Sequence, residues 1–190
     1  MTIRPKDRKL AELILFISER SEADLWFGED KLTKLLFNAD FSAFRMHKKS
    51  ITGQQYEKRF ACPAPKRLAA VRKALVDRGE LAIREREPFG TKQNRSFALR
   101  TADLSDFTAD EIALVTKLIA ENRERGSSAV LNVSEEICGW EQADNGEMIP
   151  YEIAFISRRP PTEKERQRAL LDIPRARAVL ARQEKALANA

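Results

Sequence analysis

The chain has 190 residues, of which 43% are apolar and 33% are charged. This apolar content is enough for a hydrophobic core beneath a highly charged, soluble surface. No apolar run approaches the roughly 18 residues of a membrane span, which excludes a membrane protein on this pattern, so we expect a cytoplasmic protein.

The net charge of +5 conceals blocks of opposite sign. Residues 45–100 carry a net charge of +10, and residues 101–157 carry −9. Within one small domain these blocks would neutralise each other's field at a distance, which disfavours a nucleic-acid partner. Segregation of the charges on the surface keeps that alternative open.

The first part of the chain predicts three helices. Apolar residues recur at helical spacing over residues 7–20 and again over 29–47. A third helix is expected over residues 64–78, with Pro65 in its first turn and Gly79 just past its end.

A β-hairpin is predicted after the third helix. Residues 80–87 and 94–100 alternate apolar and polar side chains, as strands do, and Pro88 and Gly90 lie between them. With the helices, this predicts a mainly α fold with a small β-hairpin, of the α+β class.

The acidic segment predicts further helices. Thr108 and Glu111 form a capping box that opens a helix at about 109–124. Shorter helices are expected over residues 127–138 and 150–157.

The C-terminal segment differs in composition from the rest of the chain. Thr162 and Glu165 form a second capping box, and residues 163–187 are predicted to be helical apart from Pro174, which should break or kink the helix. We therefore expect a domain of residues 1–157 and a basic helical extension of residues 158–190. The extension either packs on its own domain or serves as a partner-binding or oligomerisation arm.

Catalytic chemistry has little support in the sequence. His47, the one histidine, lies in a basic cluster with no carboxylate nearby in sequence to orient it. Cys62 and Cys138 lie far apart, outside any nucleophile or metal-binding motif, which indicates reduced thiols. A Gly-rich phosphate loop is also absent from the sequence. We expect no enzyme activity, no cofactor and no metal site.

Three helices followed by a hairpin is also the order of elements in a winged helix, a DNA-binding architecture. There the third helix would enter the major groove of the DNA. The candidate nucleic-acid contacts on that helix are four basic residues: Lys66, Arg67, Arg72 and Lys73. The alternative is a solvated helix face whose long basic side chains cover apolar surface.

A series of motifs between Lys31 and Tyr151 identifies a family. KLTKLLFNADF begins at Lys31, and SITGQQYEKRFACPAPKRL begins at Ser50. FTADEIALVTKLIAENRERGSSAVLNVSEEICGWEQADNGEMIPYE begins at Phe107. At this spacing the motifs resemble the Panacea family, also called SocA-like antitoxins, over about residues 8–157. Two positions depart from the family pattern: Cys62 stands where a turn glycine is expected, and a histidine that some members carry before Trp140 is absent.

The resemblance implies an antitoxin of a toxin–antitoxin system. Such a protein is not an enzyme, and it binds and neutralises a cognate protein toxin. At least one member of the family is described as an adaptor that delivers its toxin to a AAA+ protease, so such a protease is an alternative partner.

An inhibitor of this kind needs rigid anchors that bury well within a polar rim. The signature offers six candidates for partner binding: Tyr56, Lys58, Phe60, Pro63, Pro65 and Trp140. The prolines would stiffen their loop and so reduce the entropy lost on binding. Tyr56 and Trp140 have a second interpretation, in which they close the core of the domain itself.

Overall fold

The computed structural model describes residues 3–60, 62–90, 92–126, 130, 137–156, 158, 160–168, 170–171 and 173–174. The chain divides into two units, Met1–Arg158 and Arg159–Ala190. The α-helices of the first unit are α1 (Arg8–Arg20), α2 (Glu29–His47), α3 (Leu68–Asp77) and α4 (Ala109–Glu121). Its strands are β1 (Tyr56–Glu57), β2 (Ala64–Pro65), β3 (Leu81–Arg86), β4 (Gln93–Ala98) and β5 (Met148–Ile149).

The sheets are small and antiparallel. One has the strand order β2-β1-β5, and the other is the hairpin of β3 and β4. The predicted mainly α fold with a small β component is therefore confirmed. Among the described residues, no helix combines the length and the apolar character needed to cross a membrane.

Helix α1 lies at the centre of the larger hydrophobic cluster. All of its residues from Leu10 to Ser18 are buried, and it packs against α2, α3 and α4. The buried residues of this stretch are apolar except for Glu12, which pairs with Arg100, and Ser18, so the stretch needs neighbours on all sides.

Helix α2 joins this cluster to a second one. Leu32 and Leu36 pack with α1, whereas Phe37 and Phe41 pack with Tyr56 of β1. The second cluster contains nine buried residues: Phe37, Phe41, Tyr56, Cys62, Ile137, Trp140, Ile149, Ile153 and Ala154. Its members come from distant parts of the chain, so it ties β1 and β5 to α2.

The first two predicted helices are confirmed, as is the start of α4. The capping box closes as expected: the Glu111 N–H donates to Thr108 Oγ1, and the Thr108 N–H donates to the Glu111 carboxylate. Gly79 follows α3 with φ of +70°, a conformation that glycine adopts without strain.

The predicted start of the third helix is wrong. Pro65 lies in β2 opposite Tyr56, and α3 begins only at Leu68. The Lys66 N–H donates to the Gln55 carbonyl, so this part of the chain pairs with β1 instead of turning into a helix. A proline before an apolar helical repeat fits the first turn of a helix and a sheet edge equally well.

The short helix predicted over residues 150–157 is a 3-10 helix, Tyr151–Phe155. Five residues after Pro150 are too few for a stable α-helix, and 3-10 turns serve as such connectors. The helix predicted over residues 127–138 lies mostly outside the described residues.

The second unit begins with the predicted capping box. The Glu165 N–H donates to Thr162 Oγ1, and the Thr162 N–H donates to the Glu165 carboxylate. Residues 163–168, 170–171 and 173–174 are helical. The rest of the helix predicted to residue 187 lies outside the described residues.

Asp7 connects the beginning of α1 to α3, which makes the stability of the fold depend on pH. Its buried carboxylate pairs with Arg4 at 2.7 Å and with Arg67 at 3.3 Å. Burial alone would raise the pKa of this carboxyl, but the hydrogen bond and charge of Arg4, with the charge of Arg67, hold the pKa below its ordinary value.

A lowered pKa means that Asp7 stabilises the fold above the unfolded-state pKa, and that this contribution is lost as pH falls through the folded-state pKa. We expect Asp7→Asn to lower the free energy of unfolding at neutral pH by about 1 kcal/mol. Urea denaturation of both proteins should show this difference shrinking below about pH 4. A difference that stays constant into strong acid would contradict the account.

Candidate protein-binding site

The Thr-Gly pair and the tyrosine of the signature surround one buried carboxylate. Asp40 on α2 has no exposed surface. Its Oδ1 accepts a hydrogen bond from the Thr52 N–H at 2.7 Å, and its Oδ2 accepts from the Thr52 hydroxyl and, at 2.8 Å, from the Tyr56 hydroxyl. Burial raises the pKa of Asp40, and these donors oppose that effect. The carboxylate therefore holds the segment after α2 against the helix.

Gly53 makes this arrangement possible. Its φ of +65° lies in the left-handed region, where a side chain would be strained. The turn directs Thr52 back towards α2 and leads the chain into β1, so that Thr52 and Tyr56 reach the same carboxylate.

Tyr56 closes the core of the domain. It is completely buried, and its ring meets Phe41 edge-on with the centroids 5.2 Å apart. Burial, with the neighbouring charge of Asp40, raises the pKa of Tyr56 well above its ordinary value, so it stays a hydrogen-bond donor. As one of the six candidates, Tyr56 acts on any partner only by positioning its neighbours.

Lys31, the first residue of the signature, caps another helix. Its Nζ donates to Asp24 at 2.5 Å and to the carbonyls of Asn122 and Arg125 at 2.6 and 2.8 Å. Asn122 is the C-cap of α4, where unpaired carbonyls and the helix dipole favour a cation. Burial lowers the pKa of Lys31, and Asp24 opposes this effect.

Lys58 and Trp140 form a second contact between distant parts of the chain. Lys58 Nζ lies 4.4 Å from the centroid of the Trp140 ring. The same ammonium lies 3.2 Å from the Trp140 carbonyl and 3.3 Å from the Glu141 carbonyl. Trp140 is 8% exposed, so this pair mainly fastens the turn before β5 to the end of β1.

Phe60 is the exception among the candidates. It lies in the loop between β1 and β2, and its side chain is 99% exposed, whereas Pro63 and Pro65 in the same segment are buried. Exposing a whole phenylalanine forgoes about 2 kcal/mol of burial free energy. The segment between β1 and β2 therefore displays an aromatic side chain that does not pack in the core of the domain.

A cleft of about 590 Å³ lies beside Phe60. Its lining includes Cys62, Ala64 and Pro65 on the β2 side and Asp30 and Lys66 at its polar rim. Burial raises the pKa of the Cys62 thiol to about 12, so the thiol stays protonated and unreactive at neutral pH. The cleft thus combines an apolar floor with charges of both signs, a composition suited to a protein side chain.

The edge of the sheet beside this cleft is closed to strand addition. Directly opposed residues of two antiparallel strands alternate between hydrogen-bonded and non-hydrogen-bonded pairs. Lys66 and Gln55 form a hydrogen-bonded pair, because the Lys66 N–H donates to the Gln55 carbonyl. Pro65 therefore occupies a non-bonded position, at which a backbone N–H would point away from β1, and Pro63 shares that phase. Because proline has no N–H, the outer edge of β2 lacks the donors that an added strand would need.

The four candidate nucleic-acid contacts are largely engaged within the domain. Arg67 pairs with Asp7, Lys73 pairs with Asp77 at 3.0 Å, and the buried Arg72 pairs with Glu29 at 2.6 Å and donates to Ser96 Oγ. Lys66 is exposed at the cleft. The structure thus does not bring these four side chains together on one open face.

Groups that could support catalysis are dispersed. His47 is exposed at the end of α2, and both cysteines are free thiols. Within the described part of the chain, no three histidine, cysteine or carboxylate side chains are grouped so as to hold a metal ion.

The comparison with family models agrees with the signature. The model described as "Antitoxin SocA-like, Panacea domain" matches residues 32–141, more than half of the chain. The chain therefore belongs to the SocA-like antitoxin family with a Panacea domain. No curated protein and no solved structure matches it.

Sequence reasoning missed Asp40, the residue around which the signature is arranged. A signal was present, because Asp40 follows Leu32 and Leu36 at intervals of four residues and so lies on the apolar face of α2. A carboxylate on such a face requires buried donors, and Thr52 and Tyr56 follow within one short segment.

The hydroxyls of Tyr56 and Tyr151 should differ in their contributions to the free energy of unfolding. Tyr56→Phe leaves the buried Asp40 carboxylate without one donor, and we expect a loss of about 2 kcal/mol in the free energy of unfolding. Tyr151→Phe is the comparison: its hydroxyl donates to the neutral Gln54 carbonyl at 2.7 Å and has Asp40 only as a second neighbour, so we expect about 1 kcal/mol. Urea denaturation measures both losses, and a larger loss for Tyr151→Phe would contradict the role of Asp40.

Lys31→Met should destabilise the C-terminal end of α4 more than the rest of the fold. The change leaves Asp24 buried without its cation, and we expect about 3 kcal/mol of destabilisation. Amide hydrogen exchange should accelerate most in the last turn of α4. Uniform acceleration across α1 and α4 would show instead that Lys31 stabilises the domain only as a whole.

Proposed function

We propose that this protein neutralises its cognate toxin by direct binding, and that Phe60 and the adjoining cleft form the contact surface. Family membership supports the general role of an antitoxin. The observation that carries the finer proposal is the complete exposure of Phe60 in a loop that is otherwise anchored.

The construction of the loop supports a binding role. Its two ends are fixed by the pairing of β1 with β2, and β1 in turn pairs with β5. Lys58 at one end is held by the Trp140 and Glu141 carbonyls, and Pro63 restricts the backbone just before β2, which reduces the conformational entropy lost on binding. An exposed aromatic side chain on a rigid support is typical of the residues that dominate protein interfaces.

The remaining candidates support Phe60 from within the domain. Tyr56 and Trp140 are buried, and Lys58 fastens the Trp140 turn beside β1. In this proposal they position the loop, while Phe60 and the rim charges of Asp30 and Lys66 meet the toxin. Because the outer edge of β2 lacks N–H donors, the toxin contacts the cleft with side chains and does not add a strand to the sheet.

The proposal is tested by expressing this protein together with the product of the adjoining open reading frame. We expect growth to be rescued and the two proteins to co-purify. Absence of both rescue and complex would overturn the proposal. A complex accompanied by a shortened half-life of the toxin, only when a AAA+ protease is present, would identify delivery to the protease instead of sequestration.

Phe60→Ala should weaken the complex by at least about tenfold, because an anchor residue of this kind contributes more than 1 kcal/mol. The fold should stay unchanged, since the side chain makes no contribution to the core. Leu99→Ala is the matched control, because Leu99 is 55% exposed and lies outside the cleft lining. Titration calorimetry measures both variants, and equal affinities for Phe60→Ala and the parent protein would refute the proposed surface.

A further inference from the structure

The hairpin of β3 and β4 carries a second surface, which we call the hairpin patch: Leu25, Trp26, Arg84, Arg86 and Phe97. The register places Arg84 opposite Arg95 and Ala82 opposite Phe97, so the two exposed arginines share one face of the hairpin with Phe97. The guanidinium carbons of Arg84 and Arg86 lie 5.7 and 6.0 Å from the centroid of the Phe97 ring.

The positive charge of the patch is not neutralised by the described part of the chain. Neither Arg84 nor Arg86 forms an ion pair with a described carboxylate, although both side chains are exposed. Lys92 on the same hairpin pairs with Glu85 at 3.1 Å. The arginines of the patch are thus free to bind an external anion.

Arg95 adds to the positive charge at this face. It is buried, and its guanidinium donates to the carbonyls of Glu22 and Asp24. Those acceptors are neutral, but the carboxylates of Asp24 and Glu22 lie near enough to offset part of the Arg95 charge, and Arg86 lies near enough to repel it. Like charges at directly opposed positions destabilise a sheet, and a bound anion would relieve that repulsion.

Apolar side chains adjoin the two arginines. Gln93, which lies opposite Arg86, donates from its side chain to the Leu25 carbonyl at 2.8 Å, so the loop before α2 runs along this face. Leu25 is 56% exposed and Trp26 is 39% exposed. Trp26 and Gln93 also line a cleft of about 390 Å³.

We propose that the hairpin patch binds an acidic segment of a protein partner. Two carboxylates of the segment pair with Arg84 and Arg86, and an apolar side chain of the segment packs on Leu25 and Trp26. The planar guanidinium group matches a carboxylate with two parallel hydrogen bonds, and tryptophan and arginine are enriched where binding energy concentrates. This surface shares no residue with the Phe60 cleft, and the inference does not depend on the proposed function.

The small number of exposed cations on this face favours a protein segment over a nucleic acid. Arg84 and Arg86 are exposed there, whereas Glu85, between them in the chain, lies on the opposite face of the hairpin. Binding to a phosphate backbone strengthens with the number of phosphates that are neutralised, whereas two guanidinium groups suffice for a short segment with two carboxylates.

The test uses fluorescence anisotropy with the full chain and three probes. They are a short peptide of glutamate and leucine, the same peptide with glutamine in place of glutamate, and a short DNA duplex. The variant is the double substitution Arg84→Gln, Arg86→Gln, and the matched control is Lys117→Gln, Arg123→Gln, which removes the same charge from two exposed side chains. Circular dichroism verifies that both variants are folded.

We expect the glutamate peptide to bind the parent protein and the glutamine peptide not to bind. The hairpin variant should lose at least about tenfold in affinity, and the control less than about twofold. Equal losses of affinity in both variants would show that peptide binding depends only on the net charge of the protein, and this would overturn the inference. Failure of the glutamate peptide to bind would also overturn it, as would tighter binding of the DNA duplex that depends on Arg84 and Arg86.

Discussion

The buried carboxylate of Asp40 constrains the arrangement of the domain beyond α2. Once Asp40 is placed on the inner face of that helix, its oxygens require donors, and Thr52 and Tyr56 supply them. Satisfying the carboxylate fixes the turn at Gly53 and the start of β1. The pairing of β1 with β2 and β5 follows from that position, and with it the loop that carries Phe60. An internal electrostatic requirement thus determines what the domain displays on its surface.

The family signature therefore describes mainly a scaffold. Lys31 caps α4, and Lys58 holds the Trp140 turn, so each of these signature lysines satisfies carbonyls from a remote part of the chain. Such contacts identify the fold without specifying a partner. The scaffold exposes Phe60 on one surface and the arginines of the hairpin patch on another. The fold does not constrain these side chains, so their identity can be set by the partner. This division suits an antitoxin, whose fold is that of its family and whose surface has to match one toxin.

Much of the fold was predictable because amphipathic helices have a strong periodic signal, and the predicted bounds of α2 agree with the structure. The start of α3 was not predictable, because the two-residue strand containing Pro65 is too short to show a period. The sequence grouped Tyr56 and Phe60 in one candidate segment but did not distinguish their environments. Tyr56 and Phe60 are both aromatic residues of one segment, yet one is buried and the other exposed. Only the pairing of β1 and the position of Asp40 distinguish them.

We propose that the Phe60 loop and its cleft contact the toxin while the signature residues hold the fold. Amide hydrogen exchange, compared between the free protein and its complex with the toxin, tests this most directly. We expect added protection concentrated in residues 58–66, with exchange in α1 unchanged. Protection added elsewhere, for example only in residues 163–174, with none in residues 58–66, would contradict it.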